Sequence, residues 1–369
     1  MKYCKVYFFL LFWVSTACLN GQDTHFTNYH FTPLTVNPAF TGAFYGSYRV
    51  GGIYKDNYTL AKNANGYHTI NVFADAPIIK GFRSTDWIGI GVETNQFSYT
   101  GSTKNDERNP EKYSFNWTNF KISGAYHFSL NKKQTRVLTL GVQMNMSSIN
   151  FNDEGLKNLN NTRYSIATGL ADPDMTRFLS SVTKQTTNSA QARANYRDFS
   201  TGLLFVDKTK SRELRFGFAL EGITRPEYAG RDTSRANASV APFRKPLGLH
   251  IHGEYEMILN KTTRIIPAVY YYSLGVANAL NVNGRIKYLI NPEKDVTLVG
   301  GAGLRNFRQA ILLFGAEFGN YQLGGSFDFD LSESAIASGG FHGFEIGLIY
   351  KGLIHKKPKT TPIILCPRI

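Results

Sequence analysis

The chain has 369 residues, of which 42% are hydrophobic, 14% aromatic and 18% charged, and its formal net charge is +14. So many apolar and aromatic side chains exclude an intrinsically disordered chain, and a mean hydropathy of −0.25 argues against a bundle of membrane helices. No Gly-X-Y period or heptad repeat is present, which leaves a large soluble β-rich protein or a membrane β-barrel.

Residues 1–21 have the features of a secretory signal peptide. Lys2 and Lys5 precede an apolar run over residues 6–14 that is too short to span a bilayer, and small and polar residues follow it. Cleavage is predicted after Gly21. A competing interpretation makes Cys18 the lipidated first residue of a lipoprotein. Because both interpretations describe an exported protein, nucleic acid is not expected as a partner.

Loss of the signal peptide would change the cysteine content and the charge. Cys4 and Cys18 leave with it, so only Cys366 remains and no intrachain disulfide can form. The net charge falls from +14 to +12, because two lysines are removed. An exported protein of this size without disulfides needs a large core or a membrane. Its positive charge favours acidic partners or an anionic membrane surface.

Residues 22–46 are predicted to form a periplasmic or plug-like segment before the first strand. Pro38 excludes the helical region at Asn37, so the chain is expected to turn there in an extended geometry. Two interpretations remain open: the segment packs under the first strands as a plug, or it contacts a partner directly. Either would cover the apolar side chains of the segment, which are Phe26, Tyr29, Phe31, Leu34 and Phe40.

Period-two alternation of apolar and polar residues recurs from residue 47 to residue 351. In 213–221, for example, Leu214, Phe216 and Phe218 lie on one face, opposite Glu213 and Arg215. The pattern predicts an all-β fold, a transmembrane antiparallel β-barrel of about 14 strands with both ends on one side. The predicted strands are 47–56, 66–75, 86–95, 115–128, 135–146, 196–206, 212–221, 247–258, 263–274, 278–290, 294–304, 309–318, 320–330 and 341–351.

A soluble β-sandwich would alternate as well, but three details favour the barrel. Most of the strands have the roughly ten residues that a tilted membrane strand needs. Their second face is rich in Gly, Ser, Asn and charge, which suits a polar lumen. Aromatic residues also cluster near strand ends, as in the girdles of membrane barrels, namely Phe97, Tyr99, Phe115, Trp117, Tyr270, Tyr271, Tyr272, Phe318 and Tyr321.

Three segments interrupt the strands. Residues 150–195 and 222–246 are long connections, and such connections usually carry function. Because long loops of bacterial barrels are extracellular, 150–195 is expected outside the cell. A basic tail over 352–369 follows the last strand and is predicted to be periplasmic. No linker divides residues 47–351 into two cores.

The sequence contains no recognisable catalytic motif, and no cofactor or metal is expected. The row His250, His252, Glu254 and Glu256 places potential ligands on one face, but neighbours spaced about 6.5–7 Å apart cannot easily share one ion. A polar row facing the lumen is the better interpretation. The charged rows Glu213/Arg215/Glu221 and Arg285/Lys287 are expected to pair across the barrel. The protein is therefore predicted not to be an enzyme.

Specific motifs resemble the PorP/SprF family, outer-membrane proteins of the type IX secretion system and gliding machinery of Bacteroidota. The strongest matches are the N-terminal block Q-D-x-x-F-x-x-Y with P-L-x-x-N-P-A-F-x-G, the acidic-proline loop and the ending C-P-R. Ile369 departs from the family, in which an aromatic residue is expected. The matching N-terminal residues are Gln22, Asp23, Phe26, Tyr29, Asn37, Pro38, Ala39, Phe40 and Gly42.

The resemblance implies a protein that binds the C-terminal signal domain of a large secreted adhesin and supports its export or surface anchoring. It also implies the outer membrane, the type IX translocon and periplasmic or lipoprotein components as partners. The alternative is a passive outer-membrane porin or diffusion channel. Candidate partner-binding residues are Asp172, Pro173 and Asp174 in the long loop and Lys356, Lys357, Lys359 and Arg368 in the tail.

Overall fold

The computed structural model describes residues 26–57, 67–80, 82–102, 112–152, 191–226, 244–274, 277–331 and 340–354. These residues form a closed barrel in which each strand pairs antiparallel with its neighbours in sequence, and β14 pairs with β1. The prediction of a closed barrel with fourteen strands is confirmed. None of the helices among the described residues has the length and apolar content of a membrane-crossing helix.

Strand bounds agree with the alternation pattern at most ends, although several strands run further than the pattern indicated. The strands are β1 Tyr48–Asn57, β2 Tyr67–Lys80, β3 Trp87–Ser102, β4 Lys112–Ser129, β5 Arg136–Asn152, β6 Gln191–Lys208, β7 Arg212–Glu221, β8 Gly248–Ile258, β9 Thr263–Leu274, β10 Ala277–Asn291, β11 Val296–Arg305, β12 Gln309–Phe318, β13 Tyr321–Asp330 and β14 Phe341–Gly352.

The two faces of the barrel have the polarity of a membrane protein. In β5, Leu138, Leu140 and Val142 point outward and are 39–57% exposed, whereas Thr139 and Gln143 point inward and are buried. The same apolar exterior and polar interior recur around the ring. Because a soluble sandwich buries its apolar face between two sheets, the single closed sheet and its exposed apolar belt exclude that alternative for the described residues.

The connections between strands differ at the two ends of the barrel. At one end, six turns of two to six residues join the strands, and this end also holds the start of β1 and the end of β14. We call it the inner end. All long connections, including those between β5 and β6 and between β7 and β8, start and end at the opposite, outer end. By the rule for bacterial barrels, the inner end is expected to be periplasmic and the outer end extracellular.

Residues 26–42, here called the lumen segment, lie inside the ring of strands. The segment contains a 3-10 turn over Tyr29–Phe31, a one-turn helix α1 over Pro33–Val36, and a second 3-10 turn over Pro38–Phe40. Both later elements start with proline, which favours a first helical position. Between them, Asn37 is extended (φ −160°, ψ 121°), so the geometry expected before Pro38 is confirmed.

The lumen segment reaches opposite walls of the barrel. Tyr29 and Val36 pack against Tyr270 on β9, whereas Leu34 packs against Phe73 on β2. These two strands are seven positions apart in the ring of fourteen and therefore face each other. The apolar side chains of this segment were expected to be covered. They contact the interior of the barrel.

The structure corrects the assignment of several aromatic residues to a membrane girdle. Phe97, Trp117, Tyr270 and Tyr272 share the lumen-facing parity of their strands and line a cavity inside the barrel. Phe318 and Tyr321 do face outward at the inner end, where they are 38% and 44% exposed. Proximity to a strand end does not determine the face of a side chain, since neighbouring residues point to opposite sides.

Candidate functional site

The first set of contacts holds the beginning of the lumen segment near the outer end of the barrel. The carboxylate of Glu345 accepts hydrogen bonds from the backbone N–H groups of Thr27 and Asn28, at 2.6 and 2.7 Å. Lys55, which lies directly opposite Glu345 on β1, forms an ion pair with it at 3.3 Å. Because Glu345 and Lys55 are almost fully buried, this is a dry charge pair. We call these residues the outer anchor.

A second carboxylate, Asp328, binds the same part of the segment. The hydroxyl of Thr27 donates to Asp328 at 2.6 Å, and Arg305 pairs with Asp328 at 3.2 Å. Arg305 also donates to the hydroxyl of Thr27. The outer ends of β1, β11, β13 and β14 therefore converge on two residues of the segment.

In the middle of the lumen, Asn37 connects the segment to three strands. Its side-chain nitrogen donates to the carbonyl of Leu203 at 2.9 Å and to Nε2 of His252 at 3.0 Å, and lies 3.3 Å from the carbonyl oxygen of Phe218. Its side-chain oxygen accepts from the N–H of Ala39 at 2.8 Å. Asn37 thus caps the local turn and binds the wall at once, which accounts for an asparagine in the Asn37-Pro38-Ala39-Phe40 block.

The end of the segment is held near the inner end by what we call the inner anchor. Asp75 accepts from the N–H of Gly42 at 2.7 Å and pairs with Arg49, its direct neighbour on β1, through bonds of 2.8 and 2.9 Å. Arg49 also donates to the carbonyl of Phe40 at 3.1 Å. Both charged side chains are buried, so neither can exchange its partner for bulk water.

Two further side chains of the wall bind backbone carbonyls beside the inner anchor. Nε2 of His127 donates to the carbonyl of Thr41 at 2.8 Å, and the indole N–H of Trp87 donates to the carbonyl of Gly42 at 3.1 Å. The two rings stack on each other, with centroids 4.5 Å apart. Hydrogen bonds from the wall therefore hold the segment at its beginning, middle and end.

Glycines in the wall allow the segment to approach this closely. A Cβ at Gly141 would collide with the backbone of Pro38 and Ala39, and a Cβ at Gly89 would collide with the carbonyl group of Thr41. Both glycines point into the lumen, where the segment occupies the space of a side chain. The excess of glycine on the lumen face thus has a packing reason at these positions.

Charged residues of the lumen pair along the wall, which corrects the expectation that they pair across it. Arg215 on β7 and Arg285 on β10 both bind Glu254 on β8, at 3.3 and 2.6 Å, and Lys287 binds Glu317 two strands away at 2.8 Å. Direct pairing across the lumen is prevented because the segment lies between the walls. The segment itself takes part, since Nδ1 of His30 lies 3.2 Å from Glu254.

Potential ligands in the row from His250 to Glu256 point into the lumen as predicted, where each has protein partners. His250 contacts the hydroxyl of Tyr270 at 2.9 Å, and Glu256 pairs with Arg264 at 2.9 Å. No group of residues suited to a metal ion occurs within the described part of the chain. The row therefore belongs to the hydrogen-bonded interior of the wall.

One residue of the 222–247 connection is folded back into the barrel. Lys245 binds Asp198 on β6 at 2.8 Å and Glu221 at the end of β7 at 2.7 Å. Burial alone would lower the pKa of Lys245, but the two carboxylates outweigh burial and raise the pKa. Lys245 is consequently charged, and it fixes the chain directly before β8.

The inner turn between β2 and β3 contains a hydrogen-bonded carboxylate, Asp86. The guanidinium of Arg83 donates to Asp86 at 2.9 and 3.0 Å, and the N–H of Ser129 donates to it at 3.0 Å. The bonds from Arg83, and after them the N–H of Ser129 and the hydroxyl of Tyr126, hold the pKa of Asp86 below its ordinary value.

This lowered pKa predicts a pH-dependent contribution of Asp86 to stability. The contribution is fully present above the unfolded pKa of about 3.9 and is lost as the pH falls through the lower folded pKa. Asp86→Asn should therefore flatten the acid side of the stability curve, measured by urea unfolding at a series of pH values. Parallel curves for the wild type and the variant would refute this assignment.

The comparisons with known proteins agree with this architecture. The family model of the type IX secretion system membrane protein PorP/SprF matches residues 19–350. The chain belongs to the PorP/SprF family. A search of curated proteins finds no match for this PorP/SprF-family chain.

Solved structures share the barrel fold with this PorP/SprF-family protein at low identity. A deltaS2 mutant of the TodX monoaromatic hydrocarbon channel is 12% identical with a TM-score of 0.52, covering 88% of this chain and 94% of that one. The deltaS2S3 mutant of TodX is 11% identical with a TM-score of 0.51, covering 87% and 94%. The Ralstonia pickettii toluene transporter TbuX is 10% identical with a TM-score of 0.48, covering 88% and 94%. The similarity to the two TodX mutants describes the fold alone.

The family and the barrel together indicate an outer-membrane protein of type IX secretion. Several residues that the sequence proposed for partner binding lie outside the described residues, namely Asp172, Pro173, Asp174, Lys356, Lys357, Lys359 and Arg368, as do Gln22, Asp23 and the cleavage position after Gly21. The described residues of the N-terminal family motif, from Phe26 to Gly42, all belong to the lumen segment.

Sequence reasoning missed the residues that anchor this segment. Arg49, Asp75, Lys55 and Glu345 were assigned no role, although each lies on the polar face of a strand. The strand register was needed to find them, because it places Arg49 opposite Asp75 and Lys55 opposite Glu345. Such directly opposed charges are a recognisable feature of paired strands once the pairing is known.

Proposed function

We propose that this protein is a non-enzymatic component of the type IX secretion and gliding system that binds the C-terminal signal domain of a secreted surface adhesin and supports its export or anchoring. Membership of the PorP/SprF family over residues 19–350 is the observation that carries the proposal. The adhesin would be held at the outer rim, where the strands joined by the long connections end.

The occupied lumen supports this proposal over a passive porin or diffusion channel. The lumen segment acts as a plug: its contacts reach opposite walls, and buried charges hold both of its ends. A water-filled passage would require these contacts to open. The surfaces left for a partner are then the rims of the barrel and the connections, which suits the binding of a folded protein.

The deciding experiment is a detergent pull-down of the native, full-length protein from its own cells after mild cross-linking, followed by mass spectrometry. We expect a large surface adhesin and translocon components among the captured chains. A matched sample should lack residues 227–243 of the 222–247 connection, while keeping Lys245 and its ion pairs. Equal capture of the adhesin without this connection would assign the contact to another loop, and capture of the barrel alone would overturn the proposal.

The basic tail is proposed to bind periplasmic or lipoprotein partners. Deletion of residues 355–369 should weaken their co-purification several-fold and leave the barrel intact. The deletion starts at 355 because the carbonyl of Gly352 accepts from the N–H of Ser47, and the N–H of Ile354 donates to the hydroxyl of Ser47. Unchanged capture of the periplasmic components would contradict a role for the tail.

A further inference from the structure

Strand β6 has an edge without a neighbouring strand at the outer end of the barrel. It pairs with β5 over 191–207, but with β7 only over 201–208. The last backbone hydrogen bond on the β7 side runs from the N–H of Ile223 to the carbonyl of Phe199, at 3.0 Å. Beyond this bond, no described residue pairs with that side of β6. We call residues 191–197 the free edge.

The backbone groups of alternate residues point out of the free edge. In an antiparallel sheet, the N–H and C=O of one residue point to one neighbouring strand, and those of the next residue point to the other. The N–H of Lys208 donates to the carbonyl of Thr135, on the β5 side. The carbonyl of Phe199 accepts on the β7 side, so the odd-numbered residues of β6 face away from β5. Over 191–197 these residues offer four N–H and four C=O groups.

The free edge stands above the apolar belt of the barrel. Phe120 on β4 and Phe199 on β6 face outward, are exposed, and form the last apolar level of these strands. The outward-facing residues at the next level are polar, namely Thr118, Ser148 and Asn195. The free edge therefore lies in water at the outer end. Water satisfies its backbone groups, and an edge of this kind is a template for pairing with another chain.

Two side chains determine where the free edge begins and what it attracts. Asp198 accepts from the N–H of Phe199 at 2.6 Å and from the hydroxyl of Thr224 at 3.1 Å, so the chain itself occupies the bottom of the edge. Directly above it, Arg197 is exposed and has no ion-pair partner among the described residues. A strand added to the edge would place a side chain beside Arg197. Opposite charges on neighbouring strands stabilise their pairing, so an acidic residue is favoured there.

We propose that the free edge binds an extended segment of the secreted adhesin as an added strand, with an acidic side chain beside Arg197. This inference rests on the proposed function. In strand addition, backbone hydrogen bonds supply most of the attachment, and side chains at alternate positions supply the selectivity. The seven residues of the edge span about 20 Å, which is the length of an ordinary strand in a small domain.

A second copy of this chain does not fit the free edge. Both copies would stand in the same membrane in the same orientation, so their β6 strands would run in the same direction. The second β6 would then continue downward at the place that β7 occupies, since β7 pairs directly with β6 over 201–208. A segment that approaches from the cell surface meets no such obstacle among the described residues.

The first test removes one N–H of the free edge and leaves the pairing with β5 intact. Asn195→Pro eliminates an N–H that points away from β5, at a position where an edge strand tolerates proline. Asn195→Thr is the matched control, because it changes the side chain and keeps the N–H. In the cross-linking pull-down of the native protein from its own cells, Asn195→Pro should lower adhesin capture about tenfold, because its ring also blocks the added strand. Asn195→Thr should leave capture unchanged.

A second variant tests the charge and keeps every backbone group. Arg197→Glu should lower adhesin capture several-fold, and the folding of each variant is checked by its heat-dependent shift on a gel. Wild-type capture by both Asn195→Pro and Arg197→Glu would overturn the inference and leave the proposed function standing. Absence of the adhesin from the wild-type sample would instead refute the proposed function, and the inference with it.

A photoreactive group at the free edge identifies the strand that binds there. Benzophenone maleimide is attached at Asn195→Cys in a Cys366→Ser background, which has no other cysteine beyond residue 21. We expect cross-linked peptides from the C-terminal signal domain of the adhesin. Cross-links to residues 227–243 of this chain, to a second copy, or to no protein at all would overturn the inference.

Discussion

Replacing Asp75 by alanine is expected to destabilise the folded barrel by about 3–5 kcal/mol, because it leaves the buried charge of Arg49 without its partner. The Asp75–Arg49 pair is dry and directly cross-strand, and Asp75 also accepts the N–H of Gly42. The inner end of the lumen segment should loosen at the same time. Urea unfolding of the protein refolded into lipid vesicles measures the loss.

The control for this prediction removes both charges together. The double variant Arg49→Leu/Asp75→Leu replaces the ion pair by apolar side chains and should recover most of the stability, since a buried pair contributes little over a well-packed apolar pair. The N–H of Gly42 stays unsatisfied, so recovery should fall short by about 1–3 kcal/mol. If the single variant were as stable as the wild type, or the double variant as unstable as the single one, the inner anchor would not stabilise the barrel as proposed.

Gly141→Val is expected to expel the middle of the lumen segment from its place. The new side chain would occupy the position of the Pro38–Ala39 backbone, and neither the segment nor the closed sheet can give way without losing hydrogen bonds. Overpacking of this kind typically costs about 1–3 kcal/mol. We expect single-channel current steps in planar bilayers for the variant, where the wild type stays closed.

Gly300→Val provides the matched control for Gly141→Val. Gly300 also lies in a strand, but it faces outward, and a Cβ there would meet no atom within 4 Å. The substitution should leave both stability and conductance unchanged. Closed bilayers for Gly141→Val, or currents of equal size from Gly300→Val, would show that the segment does not close the lumen. Wild-type conductance comparable to that of a porin would also show that the segment does not close the lumen, and it would favour the channel alternative.

The sequence allowed the strands to be predicted well because the membrane imposes a strict period on them. Each strand faces lipid on one side and a polar lumen on the other, so the alternation of β7 over 212–221 identifies its ends directly. The extended geometry of Asn37 could also be predicted, since Pro38 restricts the backbone before it. These are local effects, and neighbouring residues are sufficient to specify them.

The contents of the lumen could not be predicted in the same way. The contact of Asn37 with Leu203, and that of Thr27 with Asp328, join residues 166 and 301 positions apart. Such contacts depend on strand register and on the tilt of the sheet, and alternation specifies neither. The assignment of Trp117 to a membrane girdle was wrong for a different reason. Its distance from the strand end was known, but its place on the lumen face was not used.

The outer anchor also has a consequence for how the protein is assembled. Lys55 and Glu345 belong to the first and last strands, so their ion pair spans the seam at which the ring closes. Glu345 binds Thr27 and Asn28 as well, which makes closure of the seam and capture of the segment a single event. A barrel that closed ahead of its N-terminal segment would leave the buried carboxylate of Glu345 without the N–H groups of Thr27 and Asn28. Biogenesis is therefore expected to proceed from an open sheet already wrapped around the segment, with the seam formed last.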